Sequence, residues 1–501
     1  MTITTLPLAA SQSLSVTPLA GAPASPCARS VYEDLSQTDA TPTDHMPWLK
    51  EQMVLARALP NALPEDPDAL YDWMDANVDD VGERYSAYLR RREAGGPREM
   101  LSNRSHALNF LRGIAPTKLV DGAWLYSSLS RWQDERMAPL IHTYLEELGD
   151  GDPAQNHVVM FKQLLQDLGA AGEANLSDAH YVQGAIQLAL AKYGRALVPE
   201  MIGFNLGYEQ LPYHLHISAY ELNELGIDPY YFTVHITVDN AGTGHARQAV
   251  DAVMDALPSD PEERRRFYAR IRTGFALNDL GLGATAIAQQ FSMDTAMVDM
   301  LAAKSKYGRA AHADYCKVAG RTVNDWLSRE SDIPAMLTAL EDTKWIVRHQ
   351  DPTRCRFWQL VQGDRADMFG VFSALELQLI YDWIAGDCKE YLPGPKLPSI
   401  APRKMARGRH VSYRVQRRME AAQAARVAGA AYGDNPSNEL LDDDYDRQPS
   451  DFQMQLSALS DAGAKLQLLI EQMSPQRHHS LEGLAATRLF RPTLASARLP
   501  G

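Results

Sequence analysis

Apolar residues recur at three- and four-residue intervals over Val81 to Arg92, Met137 to Leu148, Val158 to Leu168, Tyr181 to Ala196 and Met336 to Arg348. Polar residues fill the positions between, a period that predicts amphipathic helices. Turn signals separate these stretches: Gly95-Gly96-Pro97, Gly149 to Pro153, Gly226 to Pro229 and Pro258 to Pro261. Alternation of the kind a strand shows is scarce, and Tyr230 to Asp239 (YYFTVHITVD) is the one good candidate. The expected class is therefore all-α. No repeat with a period of 20 to 50 residues is present.

Composition narrows the picture. The chain has 501 residues, 45% hydrophobic and 22% charged, with 49 basic and 63 acidic side chains for a net charge of −14. That length suits roughly two to three domains. A pI near 5.5 speaks against nucleic acid and anionic membranes as partners. The four cysteines, Cys27, Cys316, Cys355 and Cys388, form no CxxC pair, which excludes a zinc ribbon or locally ligated iron–sulfur cluster and fits a reducing compartment. No apolar run approaches the roughly 18 residues that cross a bilayer. Residues 1–46, rich in Ala, Ser, Thr and Pro with no basic start, read as a disordered leader on a cytoplasmic protein. A helical bundle is expected over 47–258, further helices packing on it over 259–400, a basic then acidic linker over 401–450, and a C-terminal helix and tail over 451–501. Phe452 to Met473 reads as one helix, with His478 to Phe490 folding back on the body.

Three segments set metal-binding side chains beside apolar helix faces. In Tyr144 to Leu165, Glu146 and Glu147 end one helix, Gly149 and Gly151 break it, and Asp152-Pro153 reads as a cap and first-position proline for the next, with His157 about one turn in. In Val198 to Tyr220, Glu200 and Glu209 stand among apolar residues, where a carboxylate needs a partner or a metal. Nine residues apart, they fall on opposite faces of a helix, so at most one points at a given site. His214 and His216 follow Pro212, and pairing or a surface position suits them better than ligation. In Tyr230 to Ala246, His235 and Asp239 form an H-x3-D pair, with His245 six residues beyond. As a strand the pair would lie about 13 Å apart; as a helix it shares one face within a turn. The helix is chosen against the local β-propensity. Carboxylates and imidazoles without thiolate, drawn from several helices, suit non-heme iron or manganese, with hydrolytic zinc next. No G-x-S-x-G, GxGxxG or P-loop sequence is present. Lys304 and Arg309 (KSKYGR) are cationic, but a solvated face explains them better than a substrate carboxylate. Trp326, Trp345, Trp358 and Trp383 read as core.

At these residues the chain resembles the heme-oxygenase-like diiron oxidases and oxygenases, also described as iron-containing redox enzymes. The likeness rests on E-L-G-x-G-D-P-x-x-N-H from Glu147 to His157, on Glu209 in its aromatic helix, and on Phe232, His235 and Asp239. It covers Asn103 to Ala256. One departure stands out: the family's last helix reads H-x3-D-x2-H, and here Gly242 occupies the final position. On a regular helix His245 would lie about 9 Å beyond Asp239. It ligates only if the helix distorts at Gly242 and Gly244; otherwise the second iron lacks a ligand or the site is mono-iron. The choice between Glu200 and Glu209 stays open, with Glu209 favoured by its offset from the Leu225-Gly226 turn.

The resemblance implies a seven-helix, heme-oxygenase-like bundle without heme. It implies a metal site drawn from Glu147, His157, Glu209, His235, Asp239 and His245, holding Fe(II) as two ions with dioxygen as co-substrate. A peroxo-diiron intermediate would then oxidise a small organic substrate, amino-acid-derived or fatty-acid-like, with an electron donor that the sequence does not identify. The alternatives are a non-catalytic helical scaffold on the same fold and a mono-iron or other-metal enzyme. The region from Asp260 onward reads as a second helical layer, a homodimer interface or a substrate lid.

Overall fold

Helix follows helix along the chain, and each must bury its apolar stripe against a neighbour. The computed structural model describes residues 26–38, 43–172, 175–362, 367–368, 370–388 and 450–498. Three apolar clusters result. The first joins Ala138–Glu147, Val182–Tyr193, Val198–Tyr208, His245–Ala256 and Pro261–Ala276 with the 3-10 segment Ala123–Arg131 and the C-terminal helices. The second joins Arg104–Lys118, His157–Asp167, Tyr213–Glu224 and Tyr230–Val238. The third gathers Met293–Gly308, Ile333–Asp342, Arg356–Gln362 and Ala374–Ala385 around the buried Trp358 and Trp383, with the partly buried Trp326 and Trp345 packed against it. It docks on the second cluster where Asp382 Oδ2 accepts from both the backbone N–H and the hydroxyl of Ser105, at 2.8 and 2.7 Å.

The expected helices are present, with four differences. Met336 to Arg348 stops early, at Asp342, because Lys344 turns left-handed at φ 59°. The bundle does not end at 258: Pro261–Ala276 lies against Val198–Tyr208 backbone to backbone. A Cβ on Gly203 would sit 1.9 Å from the Ile271 carbonyl, and one on Gly274 2.0 Å from that of Glu200, so only glycine admits this approach. The leader expected to be disordered contains a helix, Ala28–Ser36, whose Val31 and Leu35 are buried in the first cluster and whose first N–H groups are capped by Asp178. Phe452 to Met473 is two helices, Ser450–Ala458 and Ala462–Gln472, because Asp461 accepts from the Ala464 N–H and starts a new one.

A short hairpin, Lys317–Val318 with Arg321–Thr322, has no periodic signal long enough to predict it; Ala319 and Gly320, both at positive φ, make its turn. The helix Leu481–Arg498 returns to the body and buries Phe490, and His478 Nδ1 lies 3.2 Å from Asn156 Nδ2. The basic and acidic stretches of the expected linker lie outside the described residues. Among the described residues, no helix is long and apolar enough to cross a membrane.

Candidate metal centre

The ends of five helices and one 3-10 turn meet between the first two clusters. Ala138–Glu147 ends with Glu147, and three successive left-handed residues, Gly149, Asp150 and Gly151, reverse the chain. The next helix starts later than Asp152-Pro153 suggests. Asp152 accepts from Ala154 in a turn, and Asn156 is the cap, its Oδ1 accepting from the Val159 N–H, so His157 is the first helical residue. This reversal brings His157 Nδ1 to 2.6 Å from Glu147 Oε2.

Tyr230–Val238 is a helix, as chosen over the strand, and turns Tyr231, Phe232 and His235 inward. His235 Nδ1 donates to the Tyr231 carbonyl at 2.7 Å, which fixes the tautomer and leaves Nε2 bare, 3.5 Å from Asp121 Oδ2. The His157 and His235 rings stand 4.3 Å apart.

The helix does break after Val238. Asn240 Oδ1 accepts from the N–H groups of Gly242, Thr243 and Gly244, and a new helix starts at His245. His245 thereby returns to the site. Its Nδ1 lies 3.1 Å from Glu209 Oε2, 3.4 Å from Asp239 Oδ1 and 3.5 Å from Glu147 Oε1, while Nε2 meets Glu146 Oε2 at 2.9 Å. Glu209, the residue that closes Val198–Tyr208, faces the site. Glu200, at the other end of that helix, takes Arg270 through two hydrogen bonds of 2.7 and 2.6 Å and is absent from it. His214 and His216 lie outside as well, His216 stacking on Tyr85. Lys304 is engaged by Glu376 and the Val371 carbonyl.

Two groups of buried side chains emerge, in each of which one ligand atom per residue lies within 4.8 Å of the others: Asp121, Glu147, His157 and His235; and Glu147, Glu209 and His245. Glu147 belongs to both. Asp239 is in neither, although its Oδ1 lies 3.4 Å from His245 Nδ1, so the H-x3-D pair does not fall within one group. Asp121 is the residue that the sequence reading missed. It sits in the turn between Arg104–Lys118 and the 3-10 segment Ala123–Arg131, with no periodicity, but a lone carboxylate in Leu119 to Leu125 (LVDGAWL) carried the same buried-acid signal that singled out Glu209. The Tyr208 hydroxyl donates to its Oδ1 at 2.6 Å, the Tyr231 hydroxyl donates to its Oδ2, and the Lys118 ammonium lies 3.4 Å away.

Electrostatics separate the acids. Burial raises the Asp121 carboxyl, but the Lys118 ammonium and the His235 imidazole outweigh it and hold Asp121 well below the carboxylate range. Glu147 is likewise raised by burial and brought below its ordinary value by His157, whose own imidazole Glu147 raises against burial. Burial drives Glu209 up to about 8 even with His245 beside it. Three buried atoms, Glu209 Oε1, Asp239 Oδ1 and His235 Nε2, have no hydrogen-bond partner among the described residues. All three are of ligand type, and a divalent cation would satisfy them and relieve the crowding of carboxylates. The donor set of carboxylates and imidazoles fits iron.

No curated protein and no solved structure matches the chain. The segment carrying every side chain of both groups does have a likeness, which covers about a third of the chain and runs past the 258 boundary through Pro261–Ala276. Residues 108–279 match the family of iron-containing redox enzymes, as the motifs around Glu147, His157 and His235 suggested, and oxidoreductase is the class of activity that this family supports.

Proposed function

We propose that the protein is a non-heme iron oxidase or oxygenase that uses dioxygen and holds two ferrous ions to oxidise a small organic substrate. The observation that carries this reading is Glu147, common to two buried groups of ligand-type side chains. A carboxylate with one oxygen toward each group would be available to ions held by both. Asp121, His157 and His235 would hold one iron; Glu209 and His245, with Asp239 beside them, would hold the other. Iron bound here would supply the one-electron steps and dioxygen activation that no side chain of the chain provides.

The rest is work of the protein itself. The Tyr231 carbonyl aims His235 by accepting from Nδ1, and Glu146 does the same for His245 through Nε2. Tyr208 and Tyr231 fix the Asp121 carboxylate and temper its charge. Phe161 and Phe232, packed on Tyr231, and Trp124, packed on Tyr208, are all buried and would keep water from the site. A mono-iron enzyme is the second reading, favoured by the inequality of the groups: four side chains in one, three in the other, with one shared.

Reconstitution with Fe(II) under anaerobic conditions, followed by exposure to dioxygen, tests the proposal. Two irons per chain and a transient visible absorption band on oxygenation are expected. One iron per chain selects the second reading. No iron and no spectral change would leave a helical scaffold as the better account.

A further inference from the structure

The helices that bring Glu147, Glu209 and His245 to the metal centre have their other ends together. Met137, which precedes Ala138–Glu147, Val198 and Pro199, which open Val198–Tyr208, and Ala256, which closes His245–Ala256, line one cleft of about 270 Å³. Helices of ten to twelve residues at 1.5 Å per residue put that cleft about 15 to 18 Å from the cluster. A ligand seated there does not touch the metal ligands.

The cleft is built for an anion. Arg131, Arg136, Arg195 and Arg270 surround it, while Met137, Val198, Pro199, Ala256 and Phe267 make it apolar between them. Three of the guanidiniums are held in place: Asp134 binds Arg131 at 3.1 Å and Arg136 at 2.9 Å, and the buried Glu200 grips Arg270. Arg195, exposed at the mouth, has no side-chain hydrogen bond or ion pair among the described residues. Two carboxylates against four guanidiniums leave two positive charges unmatched. Two helix N-termini point here as well, against one C-terminus, and add to the positive field.

We propose that this cleft binds a small organic phosphate monoester, at a site separate from the metal centre. Such a group carries about −1.5 to −2 at pH 7, which matches the unbalanced charge. Guanidiniums already fixed by Asp134 and Glu200 present forked donors to its oxygens without losing further freedom. The apolar wall of Met137, Pro199 and Phe267 receives the organic part. The volume, just under the roughly 300 Å³ at which drug-sized pockets begin, admits a compact ligand. The inference is independent of the iron reading, since none of these residues belongs to either group of metal-binding side chains.

Calorimetric titration of the full chain with phenyl phosphate, benzoate and inorganic phosphate tests it, alongside the surface variants Arg195→Glu and Arg136→Glu. Phenyl phosphate is expected to bind one per chain, on the order of tenfold tighter than either other probe, and to weaken by on the order of tenfold or more in each variant. Far-UV circular dichroism and the unfolding midpoint of each variant should equal those of the parent, which shows that they fold whether or not iron is bound. Benzoate binding as tightly as phenyl phosphate would show that the second charge is not read. Inorganic phosphate binding as tightly would show that the apolar wall is not used. Either result, an absence of saturable binding, or indifference to Arg195→Glu overturns the proposal.

Discussion

Glu147 and His157, ten residues apart in the chain, share a buried hydrogen bond of 2.6 Å across a left-handed reversal of the backbone. Each stabilises the charged form of the other against the cost of burial. Because Glu147 also faces His245, it belongs to both groups of buried ligand-type side chains.

The two glutamates of Val198 to Tyr208 and its cap therefore separate structure from metal binding. Glu147→Gln and Glu209→Ala should each lower iron content, Glu147→Gln in both halves. Glu200→Ala should leave iron content intact and reduce stability by about 1–3 kcal/mol, because it releases Arg270 from two charge-assisted hydrogen bonds. Metal analysis beside thermal unfolding distinguishes them, and iron loss in Glu200→Ala would refute the assignment.

The return of His245 depends on Gly244. A Cβ there would stand 2.1 Å from the Val238 carbonyl oxygen and 2.7 Å from the Asn240 nitrogen, so the loop must move and carry His245 with it. At Gly242 the added carbon would meet only Asn240 Oδ1, at 3.3 Å. Gly244→Ala should lose iron while Gly242→Ala retains most of it. Equal retention in the two variants would show that His245 does not need this loop.

Asn156 is a cap and a brace at once, accepting from Val159 and contacting the Leu148 carbonyl and His478 of the C-terminal segment. Asn156→Ala should cost about 0.5–2 kcal/mol through the cap alone. Because His157 is the next residue, iron affinity should fall with it. Asn156→Asp keeps the acceptor, so it should recover the cap and not the contacts that its amide N–H makes. Unfolding midpoints and competitive chelator titrations measure the two effects.

Acid stability has a legible contributor. Burial, with the Lys118 ammonium adding to it, pushes the His214 imidazole down to about 4. The unfolded chain, with an imidazole near 6.5, binds the proton first as pH falls. Between those values the unfolded state holds more protons, so stability declines as pH drops through the window. His479 is shifted the same way, also to about 4. His214→Gln should flatten part of the slope of melting temperature against pH between about 6.5 and 4, and the double variant with His479→Gln more of it. A slope unchanged by both would place the acid sensitivity elsewhere.

Much of this was readable in the chain because helices and short motifs are local. The 3.6-residue period marks Ala138–Glu147 and His157–Asp167 without knowledge of the rest. The spacing of His235 and Asp239 argued for helix where β-branched residues argued for strand, and the helix formed. Asp121 was not readable by that means, since it lies in a short turn between two helical segments, and a turn has no face to show a period. Its carboxylate becomes part of the site only through Tyr208, Tyr231 and His235, which are 87 or more residues away.

The sequence by itself determined the helical class, the reversal between Glu147 and His157 and the kind of chemistry that buried acids and imidazoles demand. These follow from local periodicity, turn residues and the cost of burying charge. Only the tertiary structure set Glu209 beside His245 and Glu200 against Arg270, since Arg270 arrives on a helix 70 residues later. It alone also brought His245 back through a glycine-bearing loop, left Asp239 outside the group that holds His235, and gathered four arginines at the far end of the same helices. Those outcomes depend on which distant side chains meet, and burial and charge pairing are settled between elements after each has formed.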